Sequence, residues 1–243
     1  MKAVVLVGGL GTRLRPLTFS IPKPLLPVGE TPLLQIIVEQ LVAGGADEVV
    51  LATGYQAELI HAFCEDGRRF GVPISYVHEE TPLGTAGPLS LLRDRIEPDE
   101  DFVLMNGDVL TRLDFARLVE FGRDRGHELT IVHTKHVYQS PFGVLSIEDE
   151  QVVGITEKPS VEYAISAGIY YLRGGVLDYV PDGHFTIPEL IERLLAEGRS
   201  VGAYYLDEFW MGLETITRFD EAMQELQDIS GELRGLDRRN ESA

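Results

Sequence analysis

Ala3-Val4-Val5-Leu6-Val7-Gly8-Gly9-Leu10-Gly11-Thr12-Arg13-Leu14-Arg15-Pro16 joins an apolar run to a glycine-rich, basic turn near the start of the chain. Residues 3–7 are an unbroken apolar run rich in valine, without polar alternation. That pattern marks a strand buried on both faces of a parallel sheet. The glycines that follow let the backbone turn tightly and bring its N–H groups against an anion, while Arg13 and Arg15 add charge and fork-shaped donors. With Lys23 farther along, the turn reads as a phosphate-binding loop. It is not a Walker A loop, because no Gly-Lys-Ser/Thr closes it. Nor does it complete a dinucleotide fingerprint, since Leu14 stands where the third glycine belongs.

Working outward, the same rhythm repeats. Thr31 is the expected cap of an apolar-periodic helix over 32–43, which Gly44-Gly45 ends. Buried strands are predicted over 48–53, 74–77 and 102–105, with helices over 56–70 and 84–95 between them. The fourth strand ends at Asn106-Gly107-Asp108. Helices alternating with apolar strands make a doubly wound α/β fold. The second half changes character: a helix over 114–125, then short strands over 129–136, 142–147, 151–156 and 168–173. This predicts an added mixed-sheet region closing over the first half. Helices near 186–197 and 215–228 follow, then a polar tail over 230–243. No internal repeat is present, and no hexapeptide series of the kind that builds a β-helix.

Composition narrows the function. The 243 residues carry 44% hydrophobic and 25% charged side chains, enough for one large domain or two intimately packed ones. A net charge of -18 argues against a nucleic-acid or anionic-membrane surface, both of which attract basic patches. A single cysteine, Cys64, excludes an internal disulfide and reads as a small core residue. The apolar run at 3–7 is too short for a signal peptide or a membrane span, so a cytoplasmic protein is expected. The six histidines show no ligand spacing. A homo-oligomer is compatible with the sequence but not specified by it.

The segment Gly8-Gly9-Leu10-Gly11-Thr12-Arg13-Leu14-x-Pro16-x-Thr18, continued through Pro22-Lys23-Pro24-x-x-Pro27-Val28, resembles the signature of the sugar-phosphate nucleotidyltransferases. The resemblance runs on at Pro82-Leu83-Gly84-Thr85-Ala86-Gly87, Asn106-Gly107-Asp108, Phe142-Gly143-Val144, Glu157-Lys158-Pro159 and Ser166-Ala167-Gly168-Ile169-Tyr170. It is closest in look to the mannose-1-phosphate guanylyltransferase branch. It implies a Rossmann-like doubly wound mixed sheet with an inserted sugar-binding subregion. One nucleotidyltransferase domain would span 1–229, with a nucleotide-binding half over about 1–112 and a sugar-phosphate half over about 113–229.

The activity implied is the joining of a nucleoside triphosphate and a sugar 1-phosphate into a nucleoside diphosphate-sugar and pyrophosphate. By the resemblance, Arg13 grips the β- and γ-phosphates and Lys23 the α-phosphate. Leu6, Gly8, Gly9, Gly11, Thr12, Gly84, Thr85 and Gly107 lie along the nucleotide. Lys158 holds the sugar's phosphate and Glu157 its hydroxyls, with Gly143, Ser166 and Gly168 beside them. Asp108 binds Mg²⁺, a hard cation that bridges phosphate oxygens. Glu79 occupies a base-reading position, and a carboxylate accepts from the two adjacent N–H donors that guanine offers and uracil or thymine does not. This favours GTP, with a mannose- or heptose-like sugar.

Two positions depart from the family pattern. Relatives carry a second metal-binding aspartate in a Trp-x-Asp-x-Gly motif, and here Trp210-Met211-Gly212-Leu213-Glu214 puts Gly212 at that place. Either Asp207, Glu208 or Glu214 substitutes, or Asp108, phosphates and water hold the metal alone, or turnover is poor. Ser166 stands where an asparagine is common. Three rivals follow: a catalytically weak nucleotide-binding regulator, a uridylyl- or thymidylyltransferase of the same family, and, more distantly, a dinucleotide-dependent oxidoreductase.

Overall fold

The computed structural model describes residues 1–222 and 224. Its strands are Lys2–Leu6 (β1), Pro27–Val28 (β2), Thr31–Pro32 (β3), Glu48–Thr53 (β4), Ile74–His78 (β5), Asp101–Asn106 (β6) and Val109–Thr111 (β7). They continue with Leu129–Gln139 (β8), Val144–Glu148 (β9), Gln151–Thr156 (β10), Ser160–Arg173 (β11), Val201–Tyr205 (β12) and Trp210–Gly212 (β13). The α-helices are Leu33–Ala43 (α1), Ala57–Cys64 (α2), Phe115–Asp124 (α3) and Ile187–Ala196 (α4).

Seven strands form one sheet in the order β12-β8-β11-β6-β1-β4-β5. β1 pairs in parallel with β4 and β6, and β4 with β5, while β11 runs antiparallel to β6 and β8. The sheet is mixed, as expected. Ala3, Val4 and Val5 are each fully buried, which explains the unbroken apolar run. Ala3 and Val5 face a core built with α1, α2 and α3. Val4 faces a second core built with α4 and two 3-10 turns, Gly87–Leu92 and Gly174–Tyr179. Burial on both faces is what makes the sheet doubly wound.

Several expected elements are corrected. Thr31 does not cap α1: Pro32 occupies the cap position without a side-chain bond, and Thr31 pairs in β3 instead. The helix expected over 56–70 ends at Cys64, and a 3-10 turn, Arg68–Phe70, closes the segment. The helix expected over 84–95 is only the 3-10 turn Gly87–Leu92. Ala86 and Gly87 both donate their N–H to the Phe185 carbonyl, which ties the start of the segment to the 183–185 stretch. Strand β11 begins at Ser160, eight residues before the expected 168, because pairing with β8 supports it. The expected strand 142–147 is shifted to Val144–Glu148.

β12 was not legible as a strand, since Val201-Gly202-Ala203-Tyr204-Tyr205 is short and half exposed. The helices expected over 114–125 and near 186–197 form as α3 and α4, capped by Asp114 and by Thr186, the latter a capping box with Glu189. Cys64 is buried and free, and burial pushes its thiol up to about 12, far from nucleophilic at neutral pH. Residues 216–222 are helical, while the rest of the expected helix to 228 and the tail 230–243 lie outside the described residues. Among the described residues, no helix is long and apolar enough to cross a membrane.

Candidate active site

After β1 the chain moves to β4 and β5 on one side, then returns to place β6 on β1's other flank. Strand order therefore reverses between β1 and β6, and open α/β sheets bind ligands outside the carboxyl ends of the strands at such a point. A cleft of about 330 Å³ lies there. Backbone bonds carry the sheet register past the strand ends and fix its walls: Val7 N–H to the Ala52 carbonyl (2.9 Å), Gly107 N–H to Leu6 (2.9 Å), Glu79 N–H to Thr53 (2.8 Å).

Ten of the sequence-derived candidates line this cleft: Leu6, Gly8, Gly9, Gly11, Lys23, Glu79, Gly84, Thr85, Gly107 and Asp108. Val7, Pro24, Pro82 and Asn106 line it too and were missed, although each lies within or beside a motif already singled out. Lys23 Nζ meets Asp108 Oδ2 at 2.5 Å, with side chains only 12% and 30% exposed. A cation and an anion thus face the same pocket from loops 85 residues apart. The half-buried Glu79 accepts the Leu83 N–H through Oε2 (2.9 Å), and burial pushes its carboxyl above the usual range. Its Oε1 sits 2.5 Å from where a Cβ on Gly8 would be, and the Gly54 nitrogen lies 3.1 Å from that point. Only glycine allows this approach. Thr85 Oγ1 accepts the Ile187 N–H at 2.9 Å, tying the cleft wall to the first turn of α4.

Arg13 and Thr12 are not brought into the cleft lining. Both lie exposed on the 3-10 turn Thr12–Leu14, and Arg13 makes no ion pair among the described residues. The candidates of the second half lie outside the cleft lining. Gly143 stands against Glu157, its hypothetical Cβ 3.0 Å from Oε2, while Lys158 is exposed with a left-handed backbone (φ 46°). Ser166 Oγ shares a 2.9 Å hydrogen bond with the Tyr170 hydroxyl. Gly168 links the two groups. It sits in the bulge of β11 at φ +72°, and a Cβ there would lie 2.6 Å from Asn106 Nδ2 in the cleft.

Gly212 also borders the site. It pairs with Val109, and the next residue, Leu213, donates its N–H to the Asp108 carbonyl at 2.8 Å. Together with His136, Ile165, Trp210, Glu214 and Arg218 it walls a smaller cavity of about 200 Å³.

The chain is similar to two curated proteins named mannose-1-phosphate guanylyltransferase catalytic subunit beta. With that of Xenopus tropicalis it shares 40% identity over 88% of this chain and 61% of the relative. With that of Dictyostelium discoideum the figures are 38%, 87% and 60%. It therefore spans about three fifths of the length of these relatives. The structure of HddC from Yersinia pseudotuberculosis superposes with a TM-score of 0.73 at 24% identity, over 93% of this chain and 99% of that one, a likeness of fold. The family described as nucleotidyl transferase matches residues 2–229, nearly the whole chain, and the chain belongs to it.

Proposed function

We propose that the protein joins a nucleoside triphosphate and a sugar 1-phosphate into a nucleoside diphosphate-sugar, releasing pyrophosphate. The observation that carries this reading is the Lys23–Asp108 pair inside the cleft at the sheet's reversal point. A phosphate oxygen of the sugar 1-phosphate attacks the α-phosphorus; that P–O bond forms as the bond to the pyrophosphate oxygen breaks. Both reactants are anions, so catalysis is charge neutralisation and alignment. The half over 1–112 takes the nucleotide: Lys23 neutralises the α-phosphate, and the exposed Arg13 swings onto the leaving pyrophosphate. The half over 113–229 takes the sugar phosphate, with Lys158 on its charge and Glu157 on its hydroxyls.

The residues present fit a divalent metal, because the Asp108 carboxylate already meets a cation, the Lys23 ammonium, in the cleft. Asp108 would hold Mg²⁺ there together with the nucleotide, and the ion would supply positive charge to the phosphate oxygens. GTP is the favoured nucleotide. The relatives' names specify guanylyl transfer to mannose 1-phosphate, and Glu79 places a carboxylate on the cleft wall, its Oε2 also accepting the Leu83 N–H. The test is pyrophosphate release measured across four nucleoside triphosphates and a panel of sugar 1-phosphates, with Mg²⁺ and with chelator. Release with GTP and mannose 1-phosphate that chelator abolishes supports the reading; no release with any pair refutes it.

A further inference from the structure

Past the main sheet, β8 and β11 run on paired only with each other among the described residues. β12 follows β8 no farther than His133, and β6 meets β11 only from Ile169 onward. Between these limits Thr134 to Gln139 ladder with Ser160 to Ile165, and the Ser140 N–H carries the ladder on to the Pro159 carbonyl at 2.9 Å. The β9–β10 hairpin extends the same two strands to a turn at Asp149-Glu150, both left-handed (φ 45° and 65°). The result is a two-stranded ribbon whose outer edges are open, and open edges invite pairing with another chain.

The hairpin has one apolar face. Leu145 opposes Ile155 and Ile147 opposes Val152, and directly opposed residues share a face. The bulge between Val152 and Gly154 keeps Val152 and Ile155, three residues apart, on that one side. These four side chains are between 48% and 68% exposed, and none belongs to either core. The opposite face carries Ser146, Glu148, Gln151 and Thr156. A two-stranded hairpin is marginal in water unless its hydrophobic face packs on something.

We propose that this face packs against the same face of a second copy of the chain, across a two-fold axis. Size and charge select that occupant. With Phe142 and Val153 flanking it, the face offers on the order of 400 Å² of apolar surface, the scale at which a patch marks an interaction site. A standard interface buries about 800 Å² per partner, a little over half of it apolar. The face thus matches the apolar part of a modest dimer interface. It carries no charge, so it is complementary to itself and not to an acidic or basic partner.

The charges around it fix the orientation. The tip Glu148-Asp149-Glu150 is an exposed run of three carboxylates, whereas at the base Lys135 and Lys158 offset Glu157 and Glu162. Hairpins crossing antiparallel over the axis hold the two acidic tips apart, each near the other copy's neutral base. The inference goes beyond the nucleotidyl-transfer reading and does not depend on it.

The experiment is analytical ultracentrifugation of the full chain from about 1 to about 100 μM, a range that brackets association through an interface of this size. Hydrogen exchange of residues 144–156 is read at both extremes. Wild type is compared with Ile147→Asp, Ile155→Asp and a control, Leu195→Asp, which puts the same charge on a side chain 57% exposed on α4. Circular dichroism and thermal melting confirm that each variant is folded. Wild type and Leu195→Asp should dimerise as concentration rises, with 144–156 protected only in the dimer. Ile147→Asp and Ile155→Asp should each weaken dimerisation at least about tenfold, because a carboxylate buried in an apolar contact is costly. Ile147→Cys gives a second reading free of added charge. Cys64, the sole native cysteine, is buried, so oxidation should yield a covalent dimer with Ile147→Cys and none with Leu195→Cys.

A wild type that stays monomeric to about 100 μM overturns the inference. So does a dimer that both aspartate variants leave within about twofold of wild type, because another surface then joins the copies. Protection of 144–156 in a monomer, independent of concentration, overturns it too, since the chain then covers the face itself.

Discussion

Lys23→Ala separates catalysis from stability, and the structure sets both magnitudes. The Lys23 ammonium and the Asp108 carboxylate are 2.5 Å apart, 12% and 30% exposed. Their gross attraction at that distance is about 7 kcal/mol at an effective dielectric of about 20. Taking the two charges partly out of water consumes most of it, leaving a net of about 1–2 kcal/mol, between an exposed and a fully buried pair. For a domain of this size, that lowers Tm by roughly 2–8 °C. Loss of a group that stabilises transition-state charge costs more, about 100- to 1000-fold in turnover, or about 2.7–4 kcal/mol.

The assay is pyrophosphate release beside thermal melting. A double-mutant cycle with Asp108→Ala should show the stability losses falling short of additive by about 1 kcal/mol. Turnover within about fivefold of wild type in a folded Lys23→Ala protein refutes the assignment of Lys23 to the phosphate site.

Arg13→Ala should also lower turnover at least about 100-fold, but with Tm unchanged, because Arg13 is exposed and makes no ion pair among the described residues; melting and steady-state kinetics check the contrast with Lys23. Glu79→Gln should erode the preference for GTP over UTP and dTTP, worth about 1–3 kcal/mol or about 10- to 100-fold, measured as a ratio of kcat/KM values. Its stability effect has a definite sign. Burial raises the Glu79 carboxyl above its unfolded value, so the folded state holds the proton more tightly and ionisation costs stability as pH rises past the unfolded pKa. The glutamine variant should therefore melt higher than wild type at pH 7 and lose that advantage by pH 4. Gly122→Ala should destabilise by about 1–3 kcal/mol in denaturant titration although alanine favours helix. The reason is that a Cβ there would lie 2.5 Å and 2.8 Å from Cε1 and Cγ of the fully buried Tyr171.

What the sequence determined alone is whatever one short window can encode. Ala3 to Val7 specify a strand buried on both faces. The glycines and Arg13 after it announce an anion-binding turn, and the segments 114–125 and 186–197 announce helices. The same windows misjudged the 84–95 segment. Its apolar period is helical, but only Gly87–Leu92 winds, as a 3-10 turn, where Gly84 and Gly87 pack closely against 183–185. β12 escaped notice because its pairing with β8, not its composition, makes it a strand.

Only the tertiary structure decided the site. That β6 returns to the far side of β1 depends on crossover connections and register, which no window contains, and it is this return that brings Asp108 to Lys23 across 85 residues. The close approach of Glu79 to Gly8 is likewise a consequence of β5 and β1 ending at the same sheet edge. Gly212 illustrates the division most plainly. In sequence it stands where the family resemblance expects an aspartate, with Asp207, Glu208 and Glu214 equally eligible to substitute. Alternating burial along Trp210 to Glu214 then turns one of those carboxylates back over the glycine, because a side chain two residues on shares its face.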